Sequence, residues 1–137
     1  MKIIKNKLFP IGKFGAMNIL GLLFVKENVK LSTTTIRHEA IHTAQQYEIF
    51  GFCAAVALVV SCLWSQWWFL LLSIAMPILL YVFAWLIELA LPPYSSAYKD
   101  SPFEREAYQN QSVPDYLATR PLFAWVKYIL KDREWRK

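Results

Sequence analysis

Glycine, cysteine and histidine are all scarce in this sequence. The 137 residues include four glycines, two cysteines and two histidines. So little glycine excludes a collagen-like chain, and two cysteines are too few for a disulfide-rich scaffold or a four-cysteine zinc ribbon. Hydrophobic residues make up 56% of the chain and charged residues 18%, which excludes an intrinsically disordered protein. The sequence has no nucleic-acid-binding motif, so we expect no nucleic-acid partner.

The middle of the sequence lacks basic residues altogether. All 15 Lys and Arg residues lie in residues 1–48 or 97–137. Glu88 is the only charged residue between Ile49 and Leu91. A helix needs about 20 apolar residues to cross a bilayer. The uncharged stretch therefore has room for two membrane spans.

A polar turn at Trp64–Trp68 divides this stretch into two arms. We predict one long helix over residues 33–64, which runs into the membrane as the first arm, and a second arm over 67–91 with a kink at Pro77. Basic residues favour the cytoplasmic side, so both termini are expected in the cytoplasm. The alternative, a helical hairpin buried in a soluble protein, leaves too few residues to cover two apolar helices.

The flanking segments predict a small cap on the hairpin. Residues 1–31 favour short strands, residues 102–111 a helix, and residues 115–136 a basic amphipathic helix that lies on anionic headgroups or packs on the cap. The predicted fold is a single domain over 1–137: a mainly α membrane protein with a two-helix transmembrane hairpin and a small cytoplasmic α+β cap. We expect it in a bacterial cytoplasmic membrane; the sequence leaves its oligomeric state open.

Both histidines fall within one short segment of the long helix. His38 and His42 are four residues apart, so their rings share one helix face and can bind the same Zn²⁺. Glu39 can reach water at the metal and serve as general base. This is the His-Glu-x-x-His pattern of zinc metallopeptidases. The alternative is an interfacial helix on which two histidines happen to lie one turn apart.

A catalytic zinc site needs a third protein ligand. The two histidines already fill two positions, so the ligand must come from another residue type. The hairpin would return the chain to the side of the membrane that carries the histidines. The acidic candidates beyond the turn are Glu88, Asp100, Glu104, Glu106 and Asp115.

The pattern His38-Glu39-x-x-His42 followed by Glu104-Arg105-Glu106-Ala107 resembles the gluzincin metallopeptidases. It is similar in particular to the integral-membrane CaaX prenyl protease family and its bacterial heat-shock protease relatives. The resemblance implies that Glu104 is the third zinc ligand. Glu88 and Glu106, from the acidic candidates above, remain the alternatives. Tyr108 stands where the family has Asp, so Gln45 or Glu106 would have to support a zinc-bound histidine.

The resemblance also implies how a substrate would be held. Gluzincin-like proteins place an edge strand beside the active-site helix, where an extended peptide adds its backbone hydrogen bonds. The candidate strand residues are Met17, Asn18, Ile19, Leu20 and Gly21. Independently of the resemblance, Tyr94, Tyr98 and Tyr108 lie near the predicted second ligand helix, so any of them could donate a hydrogen bond to the oxyanion of the reaction.

Together these patterns predict a membrane-embedded zinc metalloendopeptidase. His38, His42 and Glu104 would bind Zn²⁺, and Glu39 would act as general base. The substrate would be a peptide or a membrane protein, cleaved at the cytoplasmic face of the lipid bilayer. The competing interpretation is a non-catalytic membrane adaptor protein with a structural zinc site or no metal.

Overall fold

The computed structural model describes residues 1–7, 10, 15–90 and 97–129. Within these ranges the side chains of Trp85, Glu88, Leu89, Ala97 and Tyr98 are outside the description. The described part is mainly helical, with a small sheet at the N-terminal end.

The sheet has three strands. They are β1 (Lys2–Asn6), β2 (Ala16–Ile19) and β3 (Leu22–Lys26). The central strand β3 pairs in parallel with β1 and antiparallel with β2. Leu20 and Gly21 join β2 to β3 with φ values of 47° and 82°, the positive values that tight hairpin turns require. Leu23 and Val25 of β3 are fully buried, so the sheet contributes one apolar face to the core.

The first helix, α1, runs from Thr33 to Trp64. Ser32 caps its N-terminus by accepting a hydrogen bond from the Thr35 amide at 3.0 Å. Ser65 ends the helix in the left-handed conformation. With 32 residues α1 is about 48 Å long. By length and composition it could cross a membrane, and it is the one helix in the described ranges that meets both requirements.

The second helix, α2 (Phe69–Ala90), packs against α1 and contains Pro77. A short turn over residues 65–68 joins the two helices. Their outer faces carry large apolar side chains that are mostly exposed, such as Phe52, Leu63 and Leu71 at 61%, 72% and 68%. The two helices therefore present an apolar surface that the rest of the described chain does not cover.

Four short helical segments follow. They are α3 (Ala97–Asp100), α4 (Pro102–Asn110), α5 (Tyr116–Thr119) and a 3-10 helix (Ala124–Tyr128). The side chain of Ser101 caps α4 by accepting a hydrogen bond from the Glu104 amide at 3.3 Å. Pro102 occupies the first turn of α4, where its missing N–H costs nothing. α4 packs against α1, which brings the two segments of the predicted metal site together.

The single amphipathic helix predicted over residues 115–136 does not form in the described part of that range. Between 115 and 129 the chain instead forms α5 and the 3-10 helix. Pro121 restricts Arg120 to an extended conformation, with φ −63° and ψ 123°, and cannot donate a helical hydrogen bond. Residues 130–136 lie outside the description.

Candidate metal centre

His38 and His42 direct the same ring nitrogen to one point. Their Nε2 atoms are 3.0 Å apart. Glu104 reaches this point from α4, with Oε2 at 3.2 Å from His38 Nε2 and Oε1 at 3.3 Å from His42 Nε2. Ligand atoms at about 2.0–2.1 Å from a tetrahedral zinc ion lie about 3.3–3.4 Å from one another. The three side chains therefore have the spacing of ligands around a single metal ion.

Gln45 fixes the orientation of the His42 ring. Its amide nitrogen donates to the Phe103 carbonyl at 3.1 Å and to Glu106 Oε2 at 3.0 Å. Its amide oxygen therefore faces His42 Nδ1, at 2.8 Å. A carbonyl oxygen only accepts, so Nδ1 carries a hydrogen, and it is Nε2 that can release its proton and direct a lone pair into the site. This is the tautomer that binds a metal through Nε2.

Two residues that the sequence analysis did not identify complete the surroundings of the histidines. The Tyr81 hydroxyl, from α2, donates to Gln45 Oε1 and lies 3.1 Å from His42 Nδ1. Gln111 Oε1 lies 3.2 Å from His38 Nδ1 and can accept its hydrogen. Tyr81 is one of few polar residues in the apolar sequence of α2, which is the signal that could have identified it. Gln111 follows α4 and carries no comparable signal.

Glu106, one of the alternative ligands, is turned away from the histidine Nε2 atoms. Its carboxylate is fully buried. It accepts hydrogen bonds from Gln45 and from Arg120 Nε, the latter at 2.5 Å. Arg120 also pairs with Glu48 of α1, with Nη2 at 3.1 Å from Glu48 Oε2. The guanidinium compensates two buried carboxylates, so Glu106 supports the site through Gln45 rather than as a ligand.

Tyr108 packs against His38. The two ring centroids are 4.7 Å apart in an edge-on arrangement. Burial raises the pKa of Tyr108, and the carboxylates of Glu104 and Glu39 act in the same direction. Its phenol therefore stays protonated and can donate a hydrogen bond.

The remaining ligand candidates do not join the group. Among the described side chains, Asp100 and Asp115 are not part of the His38, His42 and Glu104 cluster. Three predicted candidates lie outside the description: Tyr94 and the side chains of Glu88 and Tyr98.

The electrostatics of the site depend on its burial. Burial raises the pKa of Glu39; the rings of His42 and His38 oppose this effect and Glu104 adds to it. For His42, burial favours the neutral ring, but the Glu104 carboxylate raises the pKa to about 9. Glu39 is thus suited to accept a proton. A metal ion that binds His42 must displace one.

A cavity of about 670 Å³ adjoins the cluster. Glu39, His42 and Glu104 line it together with Gln46, Ser101 and residues of β2 and α2. Asn18 of β2 holds the strand beside Glu39, since its Nδ2 donates to the Glu39 carbonyl at 2.5 Å. The site is therefore open to a ligand through this cavity.

β2 lies at the edge of the sheet, but that edge is already partly bonded. Gln46 Nε2 donates to the Asn18 carbonyl at 3.1 Å, and Gln46 Oε1 accepts from the Leu20 amide at 2.5 Å. The Tyr47 hydroxyl donates to the Leu20 carbonyl at 3.1 Å. The predicted substrate strand, residues 17–21, is thus not a free edge between Asn18 and Leu20.

Comparison with protein-family models, curated proteins and solved structures gave no match to this chain. The site and the fold are what bear on the function of this chain. They establish a cluster of two histidines and one glutamate that could hold a metal ion, in a chain whose described part is mainly helical.

Proposed function

We propose that this protein is a membrane-embedded zinc metalloendopeptidase. The observation that carries the proposal is the convergence of His38 Nε2, His42 Nε2 and the Glu104 carboxylate beside a cavity that Glu39 also lines. Two imidazole nitrogens and one carboxylate form a donor set that zinc prefers, and a three-ligand set leaves a position for chemistry. The resemblance of the two motifs to gluzincins supports the same interpretation.

Zinc held by His38, His42 and Glu104 would act as a Lewis acid, polarising a peptide carbonyl and lowering the pKa of water. Glu39 takes a proton from the water whose oxygen adds to the scissile carbonyl carbon. It then delivers that proton to the amide nitrogen as the C–N bond breaks. The protonated Tyr108 is suited to donate a hydrogen bond to the developing oxyanion.

The membrane part of the proposal rests on the apolar surface of α1 and α2. A contiguous exposed apolar patch of this kind marks a surface that binds a membrane or another protein. We propose that residues 49–64 of α1 and the length of α2 form a transmembrane hairpin. The basic residues flank this stretch on both sides in the sequence, which supports a cytoplasmic position for both termini.

The experiment that tests the proposal is Glu39→Gln in the full-length, detergent-solubilised, zinc-loaded protein. The variant keeps all three ligands, so its zinc content should equal that of the wild type. Loss of the general base should lower hydrolysis of denatured membrane-protein peptides by about 10²–10⁴-fold, measured by mass spectrometry of the products. Glu27→Gln, an exposed glutamate outside the site, is the matched control and should retain activity.

Two results would contradict the proposal. Zinc retained with no difference between Glu39→Gln and Glu27→Gln would favour the adaptor with a structural metal. A wild-type protein that binds no zinc would remove the metal site itself.

A further inference from the structure

The cavity beside the metal cluster has two chemically different parts. Its polar part combines the residues to which the proposed function assigns catalysis and metal binding, Glu39, His42 and Glu104, with Asn18, Gln46, Tyr81 and Ser101. Its apolar wall comes from β2 and α2: Met17, Ile19, Pro77, Ile78 and Val82. An apolar group in this cavity would therefore lie next to the carbonyl that is attacked.

Backbone pairing offers little to a substrate at this site. The side chains of Gln46 and Tyr47 already bond backbone groups of Asn18 and Leu20 at the β2 edge. Strand addition along this segment would have to displace these bonds. The apolar wall is therefore the surface of the cavity that a substrate can contact without displacing these bonds.

The wall is accessible from the outer face of α2. Ile78 and Val82 line the cavity yet remain 50% and 46% exposed. Leu79, their neighbour, is 53% exposed and does not line the cavity. An apolar group can thus reach the wall along the face of α2 that we assign to the lipid.

We infer that the substrate is a peptide with a bulky apolar side chain beside its scissile carbonyl, held against Ile78 and Val82. The inference rests on the proposed function and names its substrate class. The cavity volume of about 670 Å³ falls within the range of about 300–1,000 Å³ that is usual for ligand pockets. It has room for an aromatic or long aliphatic side chain.

Two zinc-binding probes that differ in one apolar group test the inference by binding alone. The probes are acetohydroxamate and 3-phenylpropionohydroxamate, titrated calorimetrically into the zinc-loaded, full-length protein in detergent. Burial of the phenyl group should make the second probe bind on the order of 30-fold more tightly. Equal affinities would overturn the inference while leaving the zinc site intact.

Variants then locate the apolar contact. In Ile78→Trp and, independently, in Val82→Trp, the larger side chain should occupy the space beside the apolar wall and remove most of the preference for the phenyl probe. Zinc content and acetohydroxamate affinity should not change. Leu79→Trp, on the same helix and with similar exposure, should keep the preference. If the preference survives in every variant that retains zinc, the wall is not the binding surface. A wild type without zinc would overturn the proposed function and the inference together.

Discussion

At the scale of single residues, the geometry of the cluster formed by His38, His42 and Glu104 depends on Gln45. This amide donates both hydrogens to fixed acceptors, the Phe103 carbonyl and Glu106, and so presents its oxygen to His42. Glu106 is held in turn by Arg120. The uncharged Gln45 amide thus links the buried Glu106 carboxylate to the His42 ring through two hydrogen bonds. The pairing keeps a hydrogen on Nδ1 of His42, so that Nε2 is the nitrogen available to a metal ion, and it adds no negative charge of its own.

We expect Gln45→Leu to weaken zinc binding about 10–100-fold, because His42 Nδ1 would lose its acceptor. The affinity is measured by competition with a chromophoric chelator. Gln66→Leu, in the exposed turn between α1 and α2, is the control and should bind zinc as the wild type does. An unchanged affinity in Gln45→Leu would mean that the amide does not position the ring.

The residues of the cluster differ in how far the sequence could predict them. His38, Glu39 and His42 follow from spacing on one helix, which is a local property. Glu104 required the resemblance, because spacing alone left several acidic candidates open. Tyr81 and Gln111 contact the histidines across 39 and 73 residues of sequence, so their roles depend on helix packing that no local pattern encodes.

At the scale of elements, the β2–β3 hairpin sets one wall of the site. Asn18 bonds both the Glu39 carbonyl and the Thr43 hydroxyl, the latter at 2.7 Å, and so fastens β2 to α1. Gly21 allows the turn that follows, with φ at 82°. The position of the strand relative to Glu39 therefore depends on the conformation of this turn.

Gly21→Ala should destabilise the protein by about 1–2 kcal/mol, since a Cβ disfavours the left-handed conformation. That Cβ would also lie 2.6 Å from the Tyr47 hydroxyl. Thermal unfolding in detergent, followed by circular dichroism, measures the effect. Gly51→Ala is the matched control: its Cβ meets no atom within 4 Å, and alanine favours a helix. Equal melting temperatures for the two variants would contradict this role of the turn.

Local sequence signals predicted the helices well where caps and prolines define their ends. Helix α1 was expected over 33–64 and spans Thr33–Trp64, and α4 was expected over 102–111 and spans Pro102–Asn110. The segment after Asp115 was predicted less well. There Phe123 adopts φ 55° and Trp125 packs on Phe103, so tertiary contacts override the amphipathic pattern.

At the scale of the whole molecule, one long helix links the metal cluster to the apolar surface. The first half of α1 carries His38 and His42, and the second half, from Ile49, carries no charge. Helix α2 contributes to both regions. Its Tyr81 contacts His42, and the outer face of the helix is apolar. The account therefore requires that the cluster lies close to a membrane rather than at a distance from it.

Labelling of single cysteines tests this placement. In a chain with Cys53→Ser and Cys62→Ser, Val59→Cys should react with a membrane-impermeant maleimide only after denaturation, because lipid covers the position. Val59 is 59% exposed in the protein itself, so reaction in intact membranes would contradict the membrane assignment. Glu27→Cys is the control. It should react without denaturation once the membrane is permeabilised, because the reagent then reaches the cytoplasmic side.

The metal content of the purified full-length protein tests the central claim most directly. Elemental analysis without chelator treatment should find about one zinc ion per wild-type chain. His38→Ala/His42→Ala and, separately, Glu104→Ala should lose it, whereas Glu106→Gln should retain it. Wild-type protein that takes up no zinc when the ion is supplied, or a Glu104→Ala variant with undiminished affinity, would contradict the account.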